Sequence, residues 1–252
     1  MNRRLNHPIA ACAIALAAGS VLGLARPAAA DITVVGHYQF VDGDTVTRSS
    51  AWTPKRTRMS GPDGREFIYD AKPKKLTIID HKTRTYWSGP LAVADSISAA
   101  ILMERRKELK PQIEANQERW AALIQTINDS IKVEKTEEYR DIAGYSCNKW
   151  VLRIGPYLTF ERWVTPALGV ADYAPELERV VLASVLDPLG RVLLKSMIQM
   201  RSKADGLALA STTRYETLTQ KGEFSWEATQ VTSTKVPGSV WETPPGYRRV
   251  GP

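Results

Sequence analysis

From Ile32 to Phe40 apolar and polar positions alternate. Ile32, Val34, Gly36, Tyr38 and Phe40 share one parity, and Thr33, Val35, His37 and Gln39 the other. That period of two predicts a β-strand. Asp42-Gly43-Asp44 reads as a turn and Thr45 to Trp52 as a second strand. Gly61-Pro62-Asp63-Gly64 is a hairpin signal that joins Arg56–Ser60 to Arg65–Asp70. Leu76–Asp80 and Arg84–Trp87 make a further pair across a turn at Lys82 and Thr83. Strands this closely spaced predict an antiparallel meander.

Between Leu91 and Lys132 the period changes to that of a helix. Val93, Ile97, Ala100 and Ile101 form one stripe. Leu109, Ile113, Trp120, Leu123, Ile124, Ile127 and Ile131 form a second, spaced mostly by three, four or seven. Pro111 breaks or kinks the segment near Lys110, so two helices are expected. Strands resume with Glu134–Arg140, Tyr145–Ile154 and Tyr157–Thr165. Pro175 to Val185 reads as a short helix, with Pro175 near its first turn. Leu193–Arg201, Leu207–Leu218 and Phe224–Thr234 read as three more strands, and the tail from Val236 to Pro252 is rich in Pro and Gly. The fold class is therefore mainly β (α+β), with about nine to eleven antiparallel strands. A sheet of that size tends to curl or close. We expect one domain over residues 31–252, a half-barrel closed by the helical insertion at 91–132.

The first 30 residues follow another rule. Arg3 and Arg4 precede an uncharged run from Ile9 to Leu24, and Ala28-Ala29-Ala30 follows. This order predicts a signal peptide cleaved after Ala30 and a periplasmic or secreted mature chain from Asp31. The run is shorter than the roughly 20 residues of a spanning helix, and no later segment is long and apolar enough to span a bilayer. Cys12 follows Ile9-Ala10-Ala11, but too little apolar sequence precedes it for a lipidation signal.

Loss of Arg3, Arg4 and Arg26 lowers the net charge from +7 to +4. The remaining charge is spread along the chain, which gives no case for nucleic acid and leaves contact with anionic headgroups open. Cys147 is the only cysteine after residue 30, so no intrachain disulfide can form. A free cysteine on an apolar strand is normally interior, and the other reading is a reactive thiol. A nucleophile needs a base, and His37 and His81 are the only histidines left to serve Cys147. There is no Gly-x-Ser-x-Gly elbow and no phosphate-cradling glycine loop. No cluster has metal-ligand spacing. On a strand, Met197 and Met200 would point to opposite faces, which suits core packing. No catalytic residue, metal or cofactor is therefore expected. All seven tryptophans follow residue 30. They suit either a large core or the aromatic walls of a ligand cavity.

Ile142-Ala143-Gly144-Tyr145-Ser146-Cys147-Asn148-Lys149-Trp150, preceded by Thr136 and Glu137, resembles a block in secreted bacterial proteins of the domain of unknown function 4412 type. Glu161-Arg162-Trp163-Val164-Thr165 resembles the strand that follows in that family. Trp241-Glu242-Thr243-Pro244-Pro245-Gly246-Tyr247 and the residues to Val250 resemble its ending. Such proteins are similar in layout to the outer-membrane lipoprotein carriers, and the resemblance implies a curved sheet with an apolar cavity. The expected function is non-enzymatic binding of an apolar or lipid-like ligand, with Trp120, Ile113, Leu123, Ile127, Trp150 and Trp163 as cavity residues. The alternative is an envelope interaction or sensor domain whose cavity is filled by its own helix and whose partner is an envelope protein.

Overall fold

A computed structural model of the chain describes residues 31–40, 43–61, 64–94, 118, 121, 125, 129–168, 198–200, 203–204, 206–216 and 221–251. Its strands are β1 (Ile32–Gln39), β2 (Thr45–Trp52), β3 (Arg56–Ser60), β4 (Glu66–Asp70), β5 (Lys75–Asp80), β6 (Thr85–Pro90), β7 (Ile131–Ile142), β8 (Tyr145–Ile154), β9 (Leu158–Thr165), β10 (Leu207–Glu216), β11 (Lys221–Thr232) and β12 (Arg248–Arg249). They form one sheet of 12 strands in the order β12-β6-β5-β4-β3-β2-β1-β11-β10-β9-β8-β7. Two meanders, β1 to β6 and β7 to β11, meet where β1 pairs antiparallel with β11. Only β12 is parallel, beside β6. The sheet is open, with β7 and β12 as its edges.

Local chemistry explains the turns. Ile142 pairs with Tyr145, leaving Ala143 and Gly144 as a two-residue loop. Both have positive φ, 48° and 85°. Such a turn matches the twist of the two strands it joins, and glycine takes this conformation without strain. Lys135 and Tyr139 bracket a register shift in β7, opposite Trp150 and Asn148. Past that shift, Arg140 pairs with Glu227 of β11 at 3.1 Å. Four strand spacings on a flat sheet would separate these strands by about 19 Å. One arginine and one glutamate cannot bridge that gap, so the sheet curls to bring β7 back toward β11.

Among the described residues three clusters make the core. Ile32, Val34, Trp52, Cys147 and Leu209 belong to the first. Phe67, Tyr69, Leu76, Trp87 and Leu91 belong to the second. Leu152, Ile154, Leu158, Phe160 and Met200 belong to the third. The tail straps the sheet. The Val236 N–H donates to the Asp31 carboxylate at 3.0 Å, Arg58 donates to the Val240 carbonyl, and the Val250 N–H donates to the Tyr86 carbonyl at 2.8 Å.

Two expectations change. The segment Leu193–Arg201 was expected as a strand, yet residues 198–200 and Lys203 are helical. Met200 and Ala204 are buried four residues apart, and the Ala204 N–H donates to the Met200 carbonyl at 3.0 Å. That spacing gives one helical face against β8 and β9, where a strand would need a ladder partner. The helical insertion also ends earlier than residue 132, because β7 begins at Ile131. Within 91–130, residues 91–94 are helical, as are Glu118, Ala121, Gln125 and Asp129. Those last four are exposed, and the Gln125 amide donates to Asp129 at 3.1 Å. Their spacing of three, four and four places them on one side of a helix. The rest of the expected insertion, with Ile113, Trp120, Leu123 and Ile127, lies outside the described residues, as does the helix expected at 175–185. Among the described residues no helix is long and apolar enough to cross a membrane.

Candidate functional site

Register assembles the site. Directly opposed residues in an antiparallel sheet share a face. Trp150 of β8 opposes Arg162 of β9, which opposes Ser211 of β10. Ser211 opposes Trp226 of β11, and Trp226 opposes Tyr38 of β1. Five strands therefore contribute one row to one face. Their chain neighbours make a second row on the other face: Lys149, Trp163, Ala210, Glu227 and His37.

Four members of the first row, Arg162, Ser211, Trp226 and Tyr38, border a cavity of about 130 Å³. Trp52, Met59, Phe160 and Trp226 give it apolar walls, and Tyr38 and Arg162 are its principal polar groups. Among the described lining residues Arg162 alone carries a formal charge. Its guanidinium lies 5.7 Å from the centre of the Phe160 ring, within range of a cation–π contact. Tyr38 stacks on Phe40 at 6.4 Å and is tilted 46° to Trp226 at 6.3 Å. The Tyr38 hydroxyl donates to the Ser60 carbonyl at 3.3 Å. Burial pushes its pKa up to about 12, against the opposing pull of Arg48 and Arg162.

Trp150 and Trp163 stand on opposite faces and do not line one cavity together. Trp150 packs against the third cluster beside Leu152, Ile154 and Met200. Trp163 lies under two cations, with the Arg140 guanidinium 4.7 Å and the Lys149 ammonium 5.6 Å from its ring centre. Glutamates surround these cations. Lys149 pairs with Glu138 at 3.2 Å and with Glu161 at 3.4 Å, and Arg214 joins Glu161 at 3.1 Å. Trp163 also packs against the first core cluster, so this is a charged layer over a half-buried tryptophan on the side toward which the sheet curls.

Cys147 is fully buried. Its thiol donates to the Tyr145 carbonyl at 3.4 Å. Burial pushes its pKa up to about 11; Arg140 opposes that rise, while Asp141 and Glu227 add to it. The group is a thiol at neutral pH and lacks the thiolate character a nucleophile needs. The histidines have other partners. His37 shares a hydrogen bond with Thr47 at 2.9 Å. His81 Nε2 lies 3.2 Å from Glu66, and its Nδ1 lies 2.8 Å from the Tyr247 hydroxyl. A carboxylate can only accept, so Nε2 is the donor to Glu66. Among the described residues no group of three or more His, Cys, Asp or Glu side chains could hold a metal ion.

Sequence reasoning missed Tyr38, Arg162 and Trp226 as a unit. The alternation in β1 pointed to Tyr38, and Arg162 lay inside a quoted motif. Their convergence depends on pairings between strands far apart in the chain.

No family model matches the chain, so the resemblance to the domain of unknown function 4412 type rests on the residues quoted for it. No curated protein matches it. Among solved structures, PNGF-II is 14% identical with a TM-score of 0.39, over 84% of this chain and 30% of that one. The chain thus spans under a third of that protein. An uncharacterized conserved protein from Thermus thermophilus is 8% identical with a TM-score of 0.42, covering 88% of this chain and 90% of its own. A LolA superfamily protein from Nitrosomonas europaea is 7% identical with a TM-score of 0.25, covering 86% and 91%. These likenesses say nothing of what this chain binds.

Proposed function

We propose that the chain is exported and acts in the periplasm as a non-enzymatic binding protein for an apolar or lipid-like ligand. The observation that carries this reading is the cavity walled by Trp52, Met59, Phe160 and Trp226. Apolar, aromatic walls with a few polar groups are the usual make-up of a ligand site. The driving force is removal of acyl surface from water, about 0.8 kcal/mol per buried CH₂. The cavity holds about 130 Å³, against roughly 300–1,000 Å³ for sites that enclose a drug-sized ligand. The part that enters is therefore small: a ring, or the end of an acyl chain. We assign Ile113, Trp120, Leu123 and Ile127 to the cover of this face, with Trp150 at its margin. Trp163, on the other face, has no part in it.

Export is inferred from residues 1–30, and the tie between Asp31 and Val236 supports a mature fold that starts at Asp31. Native mass spectrometry of the exported protein, with uptake of a fluorescent fatty acid, tests the binding reading. A co-purifying lipid and saturable uptake that Trp226→Ala weakens are expected. Neither lipid nor uptake would remove the carrier reading.

The small volume also favours a second reading, an envelope interaction or sensor domain whose own helix fills the cavity. It expects no fatty-acid uptake and one saturable protein adduct when intact cells are cross-linked.

A further inference from the structure

We infer that one end of the first meander docks the protein on an anionic phospholipid surface. The inference does not depend on the cavity. Positive charge is spread along the sequence as a whole, but residues 48–90 hold ten Lys and Arg against four Asp and Glu. Strand pairing gathers five of those cations at one end of the sheet. Arg56 opposes Asp70, Asp70 opposes Lys75 and Lys75 opposes Pro90, so β3, β4, β5 and β6 reach that end in one line. The β2–β3 and β4–β5 turns meet there, where the Ala71 N–H donates to the Lys55 carbonyl at 2.9 Å. β3 and β5 are two strand spacings apart, about 10 Å. Lys55, Arg56, Lys72, Lys74 and Lys75 are therefore neighbours, and all five are exposed. Arg56 pairs with Asp70 at 2.5 Å, and Lys74 also has a partner within the chain. The inference rests on Lys55, Lys72 and Lys75.

An apolar edge adjoins these lysines. The Leu91 N–H donates to the Lys74 carbonyl at 2.8 Å. The helical turn from Leu91 to Ala94 exposes Ala92 and Val93. Among the described residues Val93 is one of two exposed large apolar side chains. With Trp87, Pro90 and Val250 it lines a groove of about 440 Å³, which a further cation, Arg249, also borders. An apolar patch rimmed by charge marks a surface that meets another body. Here the rim is lysine, whose ammonium is a point charge on a flexible stem. Such groups suit a fluid layer of phosphates, and the apolar residues between them can enter the headgroup region.

The test is flotation of the mature protein with vesicles of phosphatidylcholine and of an equal mixture with phosphatidylglycerol. The anionic vesicles should bind at least about tenfold more tightly, and about 1 M NaCl should abolish the difference, since the Debye length is then about 3 Å. Replacing Lys55, Lys72 and Lys75 together by Gln should weaken binding roughly 100-fold, at about 1 kcal/mol per lysine. Gln at Lys82, Lys132 and Lys135 removes the same charge elsewhere and should change binding less than about threefold, because distant charges are screened. Val93→Asp should also weaken binding to the anionic vesicles. No preference for the anionic vesicles overturns the inference. Equal losses in the two triple variants overturn the assigned surface, because net charge alone would then explain binding. An unchanged affinity in Val93→Asp overturns the apolar contact. Tight binding of soluble polyphosphate without vesicle binding would make the target a free polyanion and overturn the membrane. The comparison between vesicles uses the natural protein, so it stands even if the variants fail to fold. Fatty-acid uptake is measured separately, so failure here leaves the cavity reading in place.

Discussion

The indole of Trp226 lies against the bare backbone of Gly36, where a Cβ would fall 2.7 Å from its Nε1. The same Cβ would fall 2.5 Å from the Glu227 carbonyl oxygen, which is backbone and cannot swing aside. Gly36 also adjoins the register shift between β1 and β11. Trp226 therefore forms a cavity wall because β1 has no side chain at this point. Gly36→Ala is expected to cost about 1–3 kcal/mol in urea unfolding, the usual range for overpacking. It should also change the tryptophan emission and reduce fatty-acid uptake. Full stability with unchanged emission would show that Trp226 does not need the glycine.

Tyr38 should titrate late. Its pKa of about 12, raised by burial, lies above the usual 10.0. Below pH 10 the folded and unfolded chains both hold this proton. Between about 10 and 12 the unfolded chain loses it first, so folding stability falls as pH rises. The loss reaches at most about 3 kcal/mol. Tyr38→Phe should remove that part of the slope, as measured by urea unfolding at pH 9, 10 and 11.

Glu66 predicts the opposite end of the pH scale. Burial acts to raise its carboxyl, but the hydrogen bond and charge of Arg58, with those of His81, hold it below 4.5. A depressed carboxylate stabilises the fold above its unfolded pKa, and that stability is lost as pH falls through the folded value. Glu66→Gln should therefore be less stable than the natural protein at pH 7. The difference should shrink below pH 4.5, as thermal unfolding across pH 7 to 3 would show.

The chain end should act as a clamp. The Arg248 N–H donates to Arg84 at 3.0 Å and the Val250 N–H to Tyr86 at 2.8 Å. Tyr247 meets His81 edge-on at 5.6 Å between ring centres. Truncation after Glu242 removes β12 and leaves β6 as a bare edge. At about 0.5–1.5 kcal/mol per hydrogen bond, the two backbone bonds alone account for roughly 1–3 kcal/mol. A newly exposed edge strand also invites pairing between chains. Light scattering should report more association than in the full chain, and a monodisperse, equally stable truncate would refute the clamp.

Trp120 tests the cover proposed for the cavity. It shares the apolar stripe of Ile113, Leu123 and Ile127. Trp120→Ala should cost roughly 3–5 kcal/mol if the side chain is packed as core. A smaller loss with weaker fatty-acid uptake is expected if it lines a ligand cavity. A change below about 0.5 kcal/mol with uptake intact, the scale of surface substitutions, would mean that the stripe faces away from the sheet.

The alternation and turn residues by themselves determined most of the strands. Tyr145–Ile154 begins after a Gly turn and ends before Gly155-Pro156, and both bounds match β8. The first meander is similarly legible, because each hairpin is local and each turn has its own chemistry. Leu193–Arg201 failed because a short apolar run fits a strand and a buried helix equally well; contact of Met200 with β8 and β9 decided it. The site depended on tertiary structure for a sharper reason. Alternation says that Arg162 and Trp163 face opposite ways, but not which of them faces the cavity. Pairing decides that, since Arg162 lies in register with Ser211 and, two strands on, Trp226 stands opposite Tyr38. A slip of one residue would exchange the two faces. Aromatic content favoured Trp163 as a cavity residue, whereas the register puts Arg162 at the cavity and leaves Trp163 under Arg140 and Lys149.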